Sequence, residues 1–144
     1  MATIRLEVVT PERTVLEDDA DIVIARGAEG DLGVLHGHEP LITPLATGEL
    51  VYRADGEDHH LAVSGGFLEV RPDKVVVLAD VAERSDEIDR QRAEQARERA
   101  EQRLSETRGT ELEAQAAAEL QKALLRLRVA GRRRHERPGP RLEG

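Results

Sequence analysis

The chain has 144 residues, 39% of them hydrophobic and 35% charged, with a net charge of −8. That length allows one ordinary domain, or a small domain with an appendage. Having no cysteine, the chain can build no disulfide framework, thiolate metal site or thiol nucleophile. With Tyr52 and Phe67 as its aromatics, any core must come from Val, Ile, Leu and Ala.

The N-terminal "MATIRLEVVT" has neither a basic n-region nor a long apolar run, so no signal peptide is expected. In "IRLEVV", Ile4, Leu6 and Val8 alternate with Arg5 and Glu7, the period of a half-buried strand. Further strands are expected at "DIVIAR", "GELVYR", "HLAVS", "FLEVR" and "KVVVLADV". The glycine-rich "GAEGDLGVLHGHEP" is expected to interrupt them as a loop. Asp55-Gly56 predicts a type I′ hairpin, whose two central residues both need positive φ. Pro72-Asp73 predicts a second turn, because proline presets φ. Short strands at this spacing indicate a compact antiparallel sandwich or barrel.

Charge and rhythm change together near Ser85. Residues 1–83 carry 6 Lys+Arg against 17 Asp+Glu, a net of −11; residues 84–144 carry 15 against 12, a net of +3. Two structural units follow from that break. Ser85 is expected to N-cap a helix, with Asp86, Glu87 and Asp89 in its first turn, where the helix dipole favours negative charge. Its apolar stripe runs Ile88, Ala93, Ala96, Ala100, Leu104, and Gly109 is expected to end it. Thr110 and Glu113 form a capping-box pattern before a second helix. That helix carries Leu112, Ala116, Leu120, Ala123 or Leu124, and Leu127 on one face. Two helices on a short loop make an antiparallel hairpin. An alanine interface contributes only about 0.8 kcal/mol per buried methyl, so the hairpin is expected to be marginal and able to open. The domains are therefore 1–84 (β-sandwich), 85–131 (helix-turn-helix) and 132–144, a basic Gly/Pro-rich tail expected to be disordered. The tail lacks interleaved aromatics and the rest of the chain is acidic, so nucleic acid is not an expected partner. No run reaches the roughly 18 to 20 apolar residues of a membrane span, and no direct membrane insertion is expected.

Three constellations carry residue types suited to chemistry or binding. His36, His38 and Glu39 in "HGHEP", with His59 and His60, contain metal-ligand types but no diagnostic spacing for a third ligand. Ser64-Gly65-Gly66 lacks the G-x-S-x-G context of a nucleophile and reads as a strand bend. No phosphate-loop or dinucleotide glycine pattern is present, so no catalytic centre and no resident metal are expected. Arg92 and Arg99 stand about 10.5 Å apart along one helix face, and Lys122 and Arg126 share a face one turn apart. A folded hairpin could bring these four cations onto one polyanion, with Ile88 and Ala93 as an apolar neighbour. They could equally be ordinary solvated helix surface, like the Glu94–Arg97 pair at i, i+3.

"VVTPERTVLEDDAD", "GDLGVLHGHEPLITPL", "SGGFLEVRPDKVVVLADVAER" and "EIDRQRAEQARERAEQRL" together resemble the epsilon subunit of bacterial F-type ATP synthases over roughly residues 3–130. The resemblance implies a β-sandwich of about ten strands followed by a helix-turn-helix. It implies a non-catalytic central-stalk subunit that contacts the gamma subunit and the c-ring. Such a subunit couples proton-driven rotation to ATP synthesis on the cytoplasmic face of the bacterial membrane, as a peripheral part of the complex. Its C-terminal helices would reach the alpha/beta catalytic hexamer and inhibit ATP hydrolysis. "IDRQRA", Ile88 to Ala93, matches the (I/L)DxxRA motif of family members that bind ATP as a regulatory ligand on the folded hairpin. By that likeness Ile88 and Ala93 line the adenine, and Glu83 and Asp89 place the nucleoside. Arg92, Arg99, Lys122 and Arg126 would face the phosphates. Guanidinium suits the last task because its charge is fixed and its donors are forked. Lys122 stands where the best-known binders have arginine, His36 where a proline is usual, and Glu39 where an apolar residue is usual. The alternative is the same stalk subunit acting as a mechanical latch without nucleotide.

Overall fold

The structure is a computed structural model that describes residues 2–135. It divides into two units, Met1–Arg84 and Ser85–Gly144.

The first unit contains ten strands: β1 Ile4–Val9, β2 Thr14–Ala20, β3 Ile22–Gly27, β4 Gly30–Val34, β5 Leu41–Pro44, β6 Gly48–Ala54, β7 Glu57–Ser64, β8 Phe67–Val70, β9 Lys74–Leu78 and β10 Val81–Arg84. They form two five-stranded sheets, ordered β2-β1-β9-β8-β5 and β10-β7-β6-β3-β4. All pairings are antiparallel except β1 with β9. Alternation decides which side chains meet. Ile4, Leu6 and Val8 of β1 and Val75 and Val77 of β9 join Val23, Leu50, Leu61 and Val63 of the other sheet in one core. Each large aliphatic side chain removed from water there is worth about 1.5–3 kcal/mol. Tyr52 enters the same core and donates its hydroxyl to Asp18 at 3.2 Å, which satisfies the polar end of a buried ring.

Three strands lie where periodicity gave no signal. β2 is "TVLEDDA", acidic and poor in β propensity; Arg5 on β1 holds it through ion pairs to Glu17 (3.2 Å) and Asp19 (3.4 Å). β4 lies inside the expected glycine loop and is fixed by pairing along β3 with Val34 in the core. β5 ends in Pro44, tolerated because β5 is an edge strand. The expected strand "KVVVLADV" ends early, and its last residue, Val81, already begins the next strand. β9 stops at Leu78, and the chain crosses to the other sheet before β10, so that Ala79 and Ala82 are both buried. Asp55 and Gly56 have φ of 55° and 79°, as a type I′ turn requires.

The Ser64-Gly65-Gly66 bend is structural. Gly66 has φ +96°, and a Cβ there would overlap the Leu78 carbonyl oxygen and lie 2.8 Å from the Ala79 Cα. Only glycine fits between the ends of β7 and β9.

The second unit is a helical hairpin, α1 Arg90–Thr107 and α2 Glu113–His135, entered through a 3₁₀ turn at Ser85–Glu87 that packs on α2. Asp89, rather than Ser85, is the N-cap: its φ and ψ are −82° and 106°, and its carboxylate accepts from the Arg92 N–H at 3.2 Å. Burial of Ile88 pins the chain just before that cap. Gly109, at φ +78°, follows the end of α1. Thr110 and Glu113 act as caps in altered form. The Thr110 hydroxyl accepts from the Leu112 N–H (3.2 Å), while the Glu113 carboxylate reaches back to the Gly109 N–H (3.0 Å). α2 then passes through Gly131 to His135, so the first residues of the expected tail, 132–135, are helical; 136–144 fall outside the described residues.

Candidate functional site

The hairpin interface is largely alanine. Ala93 and Ala100 of α1 and Ala116 and Ala123 of α2 are buried, with Leu104, Leu120 and Leu127 half-buried beside them. Of the expected alternatives at 123 and 124, Ala123 is inside and Leu124 is 44% exposed. Leu112 is exposed as well, while Leu125 and Val129 are buried although the expected stripe omitted them. On the outer surface Arg97 bonds Glu94 (2.9 Å) and Glu101 (3.0 Å), and these acids raise its guanidinium pKa above the ordinary value.

Arg103 of α1 and Glu119 of α2 form an interhelical ion pair at 2.6 Å, and this contact marks which positions of the two helices face each other. Arg99 is four residues from Arg103 and Arg92 is eleven, about 40° and 20° away around the helix. All three therefore share one flank of α1. Lys122 and Arg126, three and seven residues beyond Glu119, share its flank of α2 to within about 60°. Helical geometry alone thus turns the four expected cations toward the side of the hairpin marked by that pair, and of the four only Arg99 is among the residues lining the cleft there. In antiparallel register Lys122 is level with about Ala100 and Arg126 with about Ala96, at about 1.5 Å per residue. Arg92, Arg99 and Lys122 are exposed and Arg126 is half-buried. A half-open cleft of about 300 Å³ lies on this side, lined by Ala96, Arg99, Ala100, Arg103 and Glu119.

The remaining expected residues are distributed as follows. Ile88 and Ala93 are buried at the start of the hairpin. One Asp89 oxygen is engaged in capping α1. Glu83 belongs to the other unit, on β10 opposite Ala62. The motif-based selection did not include Arg103 and Glu119. Their signal was present in spacing, since Arg103 follows Arg99 by one turn and Glu119 precedes Lys122 by three residues, but pairing across the hairpin is tertiary information.

Three of the histidines have other neighbours. His38 Nδ1 lies 2.7 Å from the Glu39 carbonyl oxygen, His60 Nδ1 lies 2.7 Å from the Glu49 carboxylate, and His59 stacks on Tyr52 at 4.8 Å. Among the described residues no group of three or more His, Asp or Glu is placed to hold a metal ion.

A second surface was not expected from sequence. On the outer face of the β2-β1-β9-β8-β5 sheet, Pro44, Phe67, Leu78 and Val9 are successive cross-strand neighbours. Phe67 is 52% and Leu78 49% exposed, and Ile42, one row along, is 69% exposed. A contiguous apolar row of this kind, on a sheet whose other face is a closed core, is the usual mark of a protein contact.

Residues 3–85 match the beta-sandwich domain of the ATP synthase delta/epsilon chain, and residues 86–131 match the long alpha-helix domain of the same chain. The chain belongs to the ATP synthase epsilon-chain family. The ATP synthase epsilon chain of Moorella thermoacetica is 53% identical over 132 residues, spanning 91% of this chain and 98% of the relative. That of Nitratidesulfovibrio vulgaris strain DP4 is 50% identical over 129 residues, spanning 90% and 96%. Among solved structures, a chain of the Euglena gracilis mitochondrial ATP synthase (OSCP/F1/c-ring, rotational state 1) matches with a TM-score of 0.72 at 26% identity, covering 94% of this chain and 83% of that one. An epsilon chain is a non-catalytic subunit of ATP synthase. Among the described residues no helix is long and apolar enough to cross a membrane.

Proposed function

We propose that this epsilon chain is a central-stalk rotor subunit that couples rotation to ATP synthesis. Its sandwich docks on the gamma subunit and the c-ring at the cytoplasmic face of the membrane. Its C-terminal helices restrain ATP hydrolysis by extending toward the alpha/beta hexamer, and ATP binds the folded hairpin and keeps it folded. What supports the sensor reading is the cleft on the hairpin, lined by Arg99 and Arg103, toward which the spacing of Arg92, Lys122 and Arg126 turns three further cations. In support of docking, the Pro44–Phe67–Leu78–Val9 row is an apolar surface with no other evident role.

The energetics suit a switch. A ligand bound only to the folded hairpin favours it by RT ln(1 + [ATP]/Kd), about 2.7 kcal/mol at a hundredfold excess. Against an interface whose buried core is alanine, with leucines only half-buried beside it, that is a large enough bias to shift the population. Calorimetric titration of ATP into the full chain is expected to give saturable heat that Arg92→Ala abolishes. In the assembled enzyme, inhibition of hydrolysis is expected to fade as ATP rises. Absence of heat at millimolar ATP, with hydrolysis released only by removing the helices after Ser85, would replace the sensor by the mechanical latch.

A further inference from the structure

The cleft on the hairpin holds a charge arrangement that the (I/L)DxxRA motif does not require. Arg103 and Glu119 line it together with Arg99, and their ion pair engages Arg103 Nη1 at 2.6 Å. Both side chains are a little over two-fifths exposed, so the pair is reachable from solvent and its partners can be exchanged. Arg103 lies one turn from Arg99 on the same flank, and Glu119 precedes Lys122 by three residues on the facing flank. One carboxylate therefore stands at the loop end of the cationic row, beside Arg99.

We propose, resting on the nucleotide reading above, that Arg103 is a further polyphosphate-binding cation held in reserve by Glu119, so that Glu119 sets how much negative charge a ligand must bring. In the unliganded hairpin the carboxylate neutralises Arg103 and repels incoming anions. A triphosphate presents several oxygens and three to four negative charges. It can take a forked guanidinium from a lone carboxylate, where a monophosphate offers little more than Glu119 already does. Exchange of Glu119 for phosphate on Arg103 leaves the helices bridged, now through the ligand. The arrangement thus favours triphosphate over monophosphate by charge, independently of contacts to the base.

A simple staple and a reserve cation predict opposite signs, which makes the test decisive. If the pair only holds the helices together, Glu119→Gln opens the hairpin and weakens ATP binding. If Arg103 is held in reserve, Glu119→Gln strengthens it. Full-length wild-type protein, Glu119→Gln and Arg103→Gln/Glu119→Gln are titrated calorimetrically with ATP and with AMP at two salt concentrations. Expected is a threefold to tenfold gain in ATP affinity for Glu119→Gln, about the effect of one charge at a half-exposed site. AMP is expected to change by less than about twofold, and the ATP gain to shrink at the higher salt as screening dictates. The double variant is expected to lose the gain. Unchanged or weaker ATP binding by Glu119→Gln overturns the proposal while leaving the nucleotide site intact, as does a gain that survives in the double variant. No ATP heat from the wild-type protein removes the nucleotide site and this proposal together.

Discussion

Replacing Gly66 by alanine tests whether the Ser64-Gly65-Gly66 bend has the structural role assigned to it. Two costs add. At φ +96° an L-residue sits in a region that costs about 1–3 kcal/mol. The new methyl also runs into one peptide unit, overlapping the Leu78 carbonyl oxygen and lying 2.9 Å from its carbon and 2.8 Å from the Ala79 Cα. None of these is the tip of a flexible side chain, so β9 must shift where it leaves one sheet for the other, at about another 1–3 kcal/mol. The sum is about 2–6 kcal/mol, a large part of the 5–15 kcal/mol typical of a small domain. For a unit of this size each kcal/mol lowers Tm by about 4–8 °C, so a fall of at least about 8 °C is expected. Gly56→Ala is the internal control. Its φ is +79° but nothing lies within 4 Å of the added Cβ, so only the conformational cost applies. Urea and thermal unfolding followed by the strand signal in circular dichroism measure both variants. Equal stability of the two would refute the steric account of the bend.

Two further outcomes follow from the surfaces. Phe67→Glu combined with Leu78→Glu changes side chains that are already half exposed, so the thermal midpoint should move by only a few degrees while co-purification with the other stalk subunits is lost; a variant that still assembles assigns the docking surface elsewhere. Asp89→Ala removes the N-cap of α1 and should cost about 0.5–2 kcal/mol of hairpin stability, seen as reduced helical ellipticity and weaker ATP binding. Unchanged ellipticity would mean that Ile88 and the 3₁₀ turn alone hold the start of α1.

Much was legible in the residues themselves, for local reasons. Strict alternation at Ile4, Leu6 and Val8, the Asp55-Gly56 turn and the change of rhythm near Ser85 each depend on neighbours a few positions away, so they survive without a fold. The Glu94–Arg97 pair and the cap near Gly109 belong to the same class. The motif at Ile88–Ala93 was equally readable, because an (I/L)DxxRA pattern is a short run of sequence.

Other features were decided by partners distant in sequence. β2 and β4 are strands because β1 and β3 offer them a pairing edge, against acidic and glycine-rich composition. "KVVVLADV" is apolar on both parities, so periodicity could not show that it divides between two sheets; the need to bury Ala79 and Ala82 does. Ser85 loses the cap to Asp89 because Ile88 is buried between them in sequence and sets where the helix can begin. Above all, spacing placed Arg92 with Arg99 and Lys122 with Arg126, each pair along its own helix. Which flank of one helix meets which flank of the other depends on the packing of Ala93 and Ala100 against Ala116 and Ala123, seen in the Arg103–Glu119 contact sixteen residues apart, and that is a property of the packed hairpin.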